Sequence, residues 1–193
     1  MTGSPSALYN DNSYHSYPNH STIFNVLSYT GNKSYYILLV ISVLLLRNTH
    51  HYLALYLAGF GFNYLINILF KSILKQPRPN ENEALFNIHV LHNKHVGFDR
   101  YGMPSRHAQL AVFSTIFIYL SLQSHKYIKT IFLFFIIMTI ITCSQRIVFN
   151  EHTVAQVLVG ALIGGILAYI FFIFSTSLIT GKLRFKPDDF API

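Results

Sequence analysis

The chain has 193 residues, 52% hydrophobic and only 11% charged, with a net charge of +7. Soluble proteins carry about 25% charged residues, so the composition excludes an ordinary soluble domain and the length suggests a single unit. The basic residues sit at the ends of apolar runs without clustering, which excludes a nucleic-acid surface, and the single Cys143 excludes an intramolecular disulfide.

Residues 1–27 form a polar N-terminal segment rich in Asn, Ser, Tyr and His. It has no basic start and no continuous apolar core, so it does not read as a cleaved signal peptide. A membrane-spanning helix needs about 20 apolar residues. Five stretches are candidates: 28–46 (weak before Tyr35), 52–70, 107–123, 129–148 and 153–177. The seven acidic residues, Asp11, Glu81, Glu83, Asp99, Glu151, Asp188 and Asp189, all fall outside long apolar runs. A charge at the centre of a membrane helix costs roughly 2.5–3.5 kcal/mol, so this exclusion is what a membrane protein requires. The expected architecture is an all-α, polytopic membrane helical bundle over 28–180, with about five transmembrane helices and a short tail at 181–193. Tyr35, Tyr36, Tyr52, Tyr56 and Tyr64 near span ends read as interface anchors. Gly160, Gly164 and Gly165 in the last span suit close helix packing.

Five spans place the N-terminus, the 71–106 loop and the 144–152 loop on one side. The other side holds Arg47, Lys126, Lys129, Lys182, Arg184 and Lys186. The first side holds the remaining basic residues, Lys33, Lys71, Lys75, Arg78, Lys94, Arg100, Arg106 and Arg146. If four of these serve a site, six against four puts the tail in the cytosol and the long loop on the lumenal or outer face.

Three polar clusters fall on that face. Lys71 ends the second span, and Arg78 follows just past Pro77. In P104-S105-R106-H107, a proline at the first helical position would leave the N–H groups of Ser105, Arg106 and His107 pointing out of a helix start, where phosphate binds well. Arg106 adds a donor fork suited to phosphate oxygens. In R146-IVFNE-H152-TVA-Q156, a tight loop joins Arg146 to His152, with Asn150 as the expected N-cap. Gln156 falls four residues after His152 and on its face, so its carbonyl oxygen can accept from Nδ1–H and expose the Nε2 lone pair. Glu151 is expected on a different face. Four cations, two histidines and a set of helix-start amides on one membrane face are the inventory of phosphoryl transfer.

The spacing K-x6-R-P, P-S-x-H and R-x5-H resembles the phosphatidic acid phosphatase type 2 superfamily, which also contains the vanadium haloperoxidases, from about Lys71 to Gly165. The resemblance implies that Lys71, Arg78, Arg146 and the amides of Ser105 and Arg106 bind phosphate. It makes His152 the nucleophile, oriented by Gln156, and His107 the acid for the leaving oxygen, with no metal and no cofactor. The chain departs from the family at Arg106 (glycine), Gln145 (serine) and Gln156 (aspartate). YGMPSRHAQ and EHTVAQVLVG look like the YGMPSSHSQ and YHT-x2-QVL-x-G pattern of the dolichyl diphosphate phosphatases, which share the glutamine.

That narrower resemblance implies hydrolysis of dolichyl diphosphate, a polyprenyl lipid, to dolichyl phosphate and inorganic phosphate. The place would be the lumenal face of the endoplasmic reticulum, with the bilayer and the lipid as partners. The sequons at Asn19 and Asn32 would face the lumen, Asn32 too near the membrane for glycosylation. With both histidines starting near pKa 6.5, a bell-shaped pH profile is expected. The residues also leave open another lipid phosphate as substrate, an inactive scaffold of the same fold, or a transporter; Asn63 and Asn67 are the scattered mid-span polar residues that the last would need. His89, His92 and His95 have metal-like spacing, but no carboxylate or cysteine completes a site. Oligomeric state is not legible.

Overall fold

The computed structural model describes residues 22–80 and 100–184; at 23–25 and 178–184 it describes the backbone alone. Five helices follow in chain order: α1 Thr22–Leu46, α2 His50–Leu74, α3 Arg106–Ser121, α4 Ile128–Val148 and α5 Val154–Arg184. Four of them contain segments long and apolar enough to cross a membrane: Val26–Leu46, His50–Leu74, Ile128–Val148 and Val154–Ser177. Their outer faces carry large exposed apolar side chains such as Leu65, Leu133, Leu158 and Leu162. With no water to satisfy backbone groups in lipid, helices with internal hydrogen bonds are the form such segments take.

The remaining helix, α3, has 16 residues, about 24 Å at 1.5 Å per residue. It falls short of a 30 Å hydrocarbon layer by itself, yet it is the best-buried helix of the bundle. Ala108, Ala111, Phe113, Phe117 and Ile118 are fully buried. It touches every other helix and packs most extensively on α5. Gly160 and Gly164 explain how: a Cβ there would lie 2.5 Å from Ser105 O and 2.1 Å from Gln109 O, so the two backbones meet directly. The structural reading of these glycines holds.

Polar contacts cross the bundle where apolar packing alone would leave register free. Tyr56 Oη meets Ser114 Oγ at 2.8 Å, Thr115 Oγ1 meets Thr139 Oγ1 at 2.7 Å, and Ser34 pairs with Thr142. Asn63 and Asn67 are not scattered. Asn67 Nδ2 donates to Gln109 Oε1 at 2.9 Å and to Pro104 O at 3.1 Å. Gln109 Nε2 in turn donates to Asn63 Oδ1 and O, both at 3.0 Å. All three side chains are fully buried. Each donor in this chain of amides has an acceptor, which is the condition for burying polar groups at all. The network anchors the start of α3 to α2.

These contacts bring five helix ends together: the first half of α1, the end of α2, the start of α3, the end of α4 and the turn into α5.

Candidate functional site

α2 ends at Lys75, whose φ of 44° is left-handed and whose N–H donates to Lys71 O. The chain then runs straight into Gln76 and Pro77. Pro77 forms an antiparallel bridge with Tyr101, and Gly102 N donates to Gln76 O at 2.7 Å. Gly102 has to be glycine, since a Cβ there would come within 2.5 Å of Gln156 Nε2. This clasp sets the first cluster against the second. Lys71 does not snorkel outward but is buried, its Nζ donating to Tyr101 O at 2.7 Å.

At the second cluster one expectation fails. Helix α3 starts at Arg106, so Pro104 lies outside the helix and Ser105 is the residue before its first turn. Ser105 N–H donates to Gln156 O at 3.0 Å and is not open to an anion. The amides open at the helix start therefore begin with Arg106. What Ser105 offers is its hydroxyl, which is buried and has no hydrogen-bond partner among the described residues. His107 sits in the first turn, with the Tyr35 ring of α1 edge-on at a centroid distance of 4.7 Å.

The third cluster is built by two turns. Asn150 is not the N-cap of α5; with φ of 53° it takes the left-handed turn that ends α4. The N–H groups of Glu151 and His152 both donate to Arg146 O at 3.0 Å. Thr153 caps α5 instead. Gln156 N donates to Thr153 Oγ1 and Thr153 N donates to Gln156 Oε1, both at 3.2 Å. That reciprocal pair is a capping box. His152 thus precedes the helix, yet its expected partner is in place: Nδ1 lies 3.2 Å from Gln156 Oε1.

The other end of the same amide determines the tautomer. Gln156 Nε2 donates to Pro77 O at 3.1 Å and to Gln76 Oε1 at 3.2 Å. A backbone carbonyl only accepts, so the amide cannot be flipped without setting two acceptors against each other. Oε1 therefore faces His152, Nδ1 carries the proton, and Nε2 keeps its lone pair. Burial, and next the Arg78 guanidinium, hold the His152 imidazole at about 3, well below its ordinary range. His152 is neutral at physiological pH, so its expected pKa near 6.5 does not hold for the ligand-free protein.

The cations are held, not loose. Arg146 Nε donates to Gln145 Oε1 at 2.6 Å, and its Nη2 to Asn32 Oδ1 at 2.8 Å. Arg78 Nη1 pairs with Glu151 Oε2 at 2.5 Å, and Arg78 Nε is buried with no partner among the described residues. Glu151 therefore belongs to the site, against the expectation that it would face elsewhere. Sequence reasoning also missed Asn32, which it read as part of a sequon, read Tyr35 as an interface anchor where it is buried against His107, and gave no role to Gln76, Tyr101 and Gly102. The quoted YGMP stretch carried a signal for the last two.

All eight expected residues, Lys71, Arg78, Ser105, Arg106, His107, Arg146, His152 and Gln156, lie at the one converging end. Electrostatic reach links His152 to Lys71, Arg78 and Arg146, and His107 to His152, Arg78, Arg106 and Arg146. A neutral imidazole with an open Nε2 lone pair among cations, beside a hydroxyl and an N–H that have no partner among the described residues, is suited to a tetrahedral oxyanion. Among the described residues no group of His, Cys, Asp and Glu forms a metal position. His89, His92, His95 and the Asn19 sequon lie outside the described residues. A cavity of about 680 Å³ between Tyr119, Lys129 and Phe132 is at the opposite end of α3 and α4 and holds none of these groups.

A family profile described as PAP2 superfamily matches residues 52–179. The chain is 24% identical over 176 residues to human Dolichyldiphosphatase 1, covering 85% of this chain and 70% of that one. It is 29% identical over 124 residues to Dolichyldiphosphatase of Saccharomyces cerevisiae, covering 60% of this chain and 49% of that one. No solved structure matches. The profile match begins within α2, so α1, which supplies Asn32 and Tyr35, lies outside it.

Proposed function

The chain belongs to the PAP2 superfamily, and we propose that it is a membrane phosphatase of lipid diphosphates, releasing inorganic phosphate from dolichyl diphosphate or a close polyprenyl equivalent. The observation that carries this reading is the buried neutral His152, with Nδ1 tied to Gln156, set among Lys71, Arg78 and Arg146. The names of the relatives in human and yeast support the diphosphate and the dolichyl chain.

In this mechanism the terminal phosphate lies among Lys71, Arg78, Arg146, the Ser105 hydroxyl and the amide of Arg106. Binding exchanges the Glu151 carboxylate on Arg78 for phosphate oxygens. His152 Nε2 attacks the terminal phosphorus and forms the P–N bond. The bridging P–O bond breaks, and its electron pair leaves on the lipid phosphate; His107, which takes up a proton when the negative charge of the diphosphate binds beside it, gives that proton to the departing oxygen. Water then attacks the phosphohistidine, giving up its proton to His107, and inorganic phosphate departs with His152 restored. Positive charge and positioning carry most of the acceleration in such transfers. The basic-residue bias argues for a lumenal site in the endoplasmic reticulum membrane.

The test is phosphate release by the purified full-length chain in detergent, without divalent metal. Dolichyl diphosphate, dolichyl phosphate and phosphatidate are compared, with His152→Ala as control. Selective release from the diphosphate, lost in the variant, is the expected result. Release from phosphatidate alone would retain the site and discard the substrate; full activity of the variant would discard the nucleophile.

A further inference from the structure

Each cation facing the terminal phosphate already has a protein partner: Lys71 has Tyr101 O, Arg78 has Glu151, and Arg146 has Gln145 and Asn32. Arg106 differs. Its guanidinium lies over the Tyr64 ring at 5.2 Å and makes no hydrogen bond or ion pair among the described residues. One face of the cation is covered by an aromatic ring, while its N–H donors remain free for an anion.

Its place in the fold is specific. α1 and α2 each pack on α3 and meet each other only slightly. Arg106, the first residue of α3, lies at the site end between them. It is within electrostatic reach of Tyr35 on α1 and stacks on Tyr64 of α2, so it bridges the two helices. Tyr64 is half exposed on the outer face of the bundle, and Tyr36 likewise. Arg106 therefore stands between the outer, lipid-facing side and His107, the group that meets the departing oxygen.

We propose that Arg106 is a specificity-determining residue that binds the phosphate remaining on the lipid, with the lipid chain lying between α1 and α2. This rests on the phosphatase reading above and assigns the substrate class as lipid diphosphates over lipid monophosphates. The chemistry agrees with the position. A diphosphate expels a phosphate, already a stable anion near neutral pH, since the second phosphate pKa is about 6. Its departure gains more from a fixed cation than from a full proton. A monophosphate ester expels an alkoxide, which depends on the proton from His107 and has no second phosphate for Arg106 to hold.

The test uses the full-length protein in detergent, with Arg106→Gln and Arg106→Lys beside wild type. Specificity constants are measured for a lipid diphosphate and for the matching lipid monophosphate, with inhibition by inorganic phosphate as a probe of the terminal-phosphate position. Arg106→Gln is expected to lower kcat/KM for the diphosphate by about 10- to 100-fold, the range for losing a charged hydrogen-bond partner. It should change the monophosphate value little, leave inorganic phosphate inhibition in place, and be partly rescued in Arg106→Lys. Equal losses on both lipids, or loss of inorganic phosphate inhibition, would put Arg106 in the terminal position and overturn the proposal. If wild type itself prefers monophosphates, the diphosphate reading falls and this proposal with it. If wild type prefers diphosphates and Arg106→Gln keeps that preference in full, only the role of Arg106 falls. A thermal unfolding trace of each variant separates these results from misfolding.

Discussion

Gln156→Glu isolates the contact on which the site turns, because it keeps shape and adds one charge. In the native protein the amide accepts from His152 Nδ1 and Thr153 N, and donates to Pro77 O and Gln76 Oε1. The new carboxylate can still accept from both donors. It cannot donate to Pro77 O, which leaves a half-buried carbonyl to water at a cost of about 1 kcal/mol. Gln76 is exposed and can rotate its own amide to compensate. The larger effect falls on His152. Unit charges about 4 Å apart attract by about 4 kcal/mol at an effective dielectric of 20, equivalent to roughly three pH units. Screening by Lys71, Arg78 and Arg146 leaves roughly two, which moves His152 up from about 3 towards 5. The acid limb of kcat/KM for the diphosphate should rise by the same amount, while activity at pH 7.5 falls less than tenfold because His152 is still mostly neutral there. A pH–rate profile of the two proteins in detergent reads both quantities. An acid limb at the same pH in wild type and variant would refute the claim that Gln156 governs His152 protonation.

Three further outcomes follow from the same geometry. Gly164→Ala should unfold the bundle or lower its thermal midpoint sharply, since the added Cβ would sit 2.1 Å from Gln109 O, whereas Gly61→Ala, with nothing within 4 Å, should be neutral or stabilising; thermal unfolding in detergent compares them. Glu151→Gln should tighten inhibition by inorganic phosphate about threefold to fivefold, because the partly exposed Arg78–Glu151 pair that phosphate must displace is worth up to about 1 kcal/mol; a weaker inhibition would mean that Glu151 positions Arg78 for the anion instead. Acid should destabilise the ligand-free protein through His152: its folded pKa, about 3, lies below the unfolded 6.5, so the unfolded chain binds the extra proton and stability present above pH 6.5 is lost as pH falls. The loss through His152 is about 1.4 kcal/mol at pH 5.5, seen as a lower thermal midpoint than at pH 7.5 and as a smaller drop in His152→Gln.

The transmembrane helices could be read from apolar runs because lipid imposes one condition on every outward residue. Their ends were less legible. α1 starts at Thr22, not near 28, because Thr30 and Ser34 return their hydroxyls to Val26 O and Gly31 O and so remain compatible with helix. Thr153-Val154-Ala155-Gln156 has the spacing of a capping box, and the His152–Gln156 contact followed from neighbouring positions. Contacts between distant segments left no such pattern. Ser105 and Gln156, Arg78 and Glu151, and Asn32 and Arg146 meet only after five helices have packed. An acidic residue beside the nucleophile cannot be assigned to a face until the turn at Asn150 is known, since that left-handed residue swings Glu151 towards Arg78.

The length of α3 connects the fold to the chemistry. The 16-residue helix has neighbours of 21 to 31 residues, and its start is recessed among their ends: Ser105 is fully buried, beside buried Lys71, Arg146 and His152. Left alone, such a recessed helix start would bury unpaired polar groups. The amide chain Asn63–Gln109–Asn67 satisfies Pro104 O, and Gln156 O takes Ser105 N–H, so the recess is stable without a ligand. Among the described residues the Ser105 hydroxyl, which can donate or accept, and Arg78 Nε, which only donates, are left without a partner there. An unmet N–H donor in a recess lined by Lys71, Arg78 and Arg146 favours an anion. Setting that recess at one end of a bundle whose outer faces are apolar would place a phosphate in the recess and an apolar chain along the lipid side. The architecture therefore favours a lipid-borne phosphate over a soluble one before any particular lipid is considered.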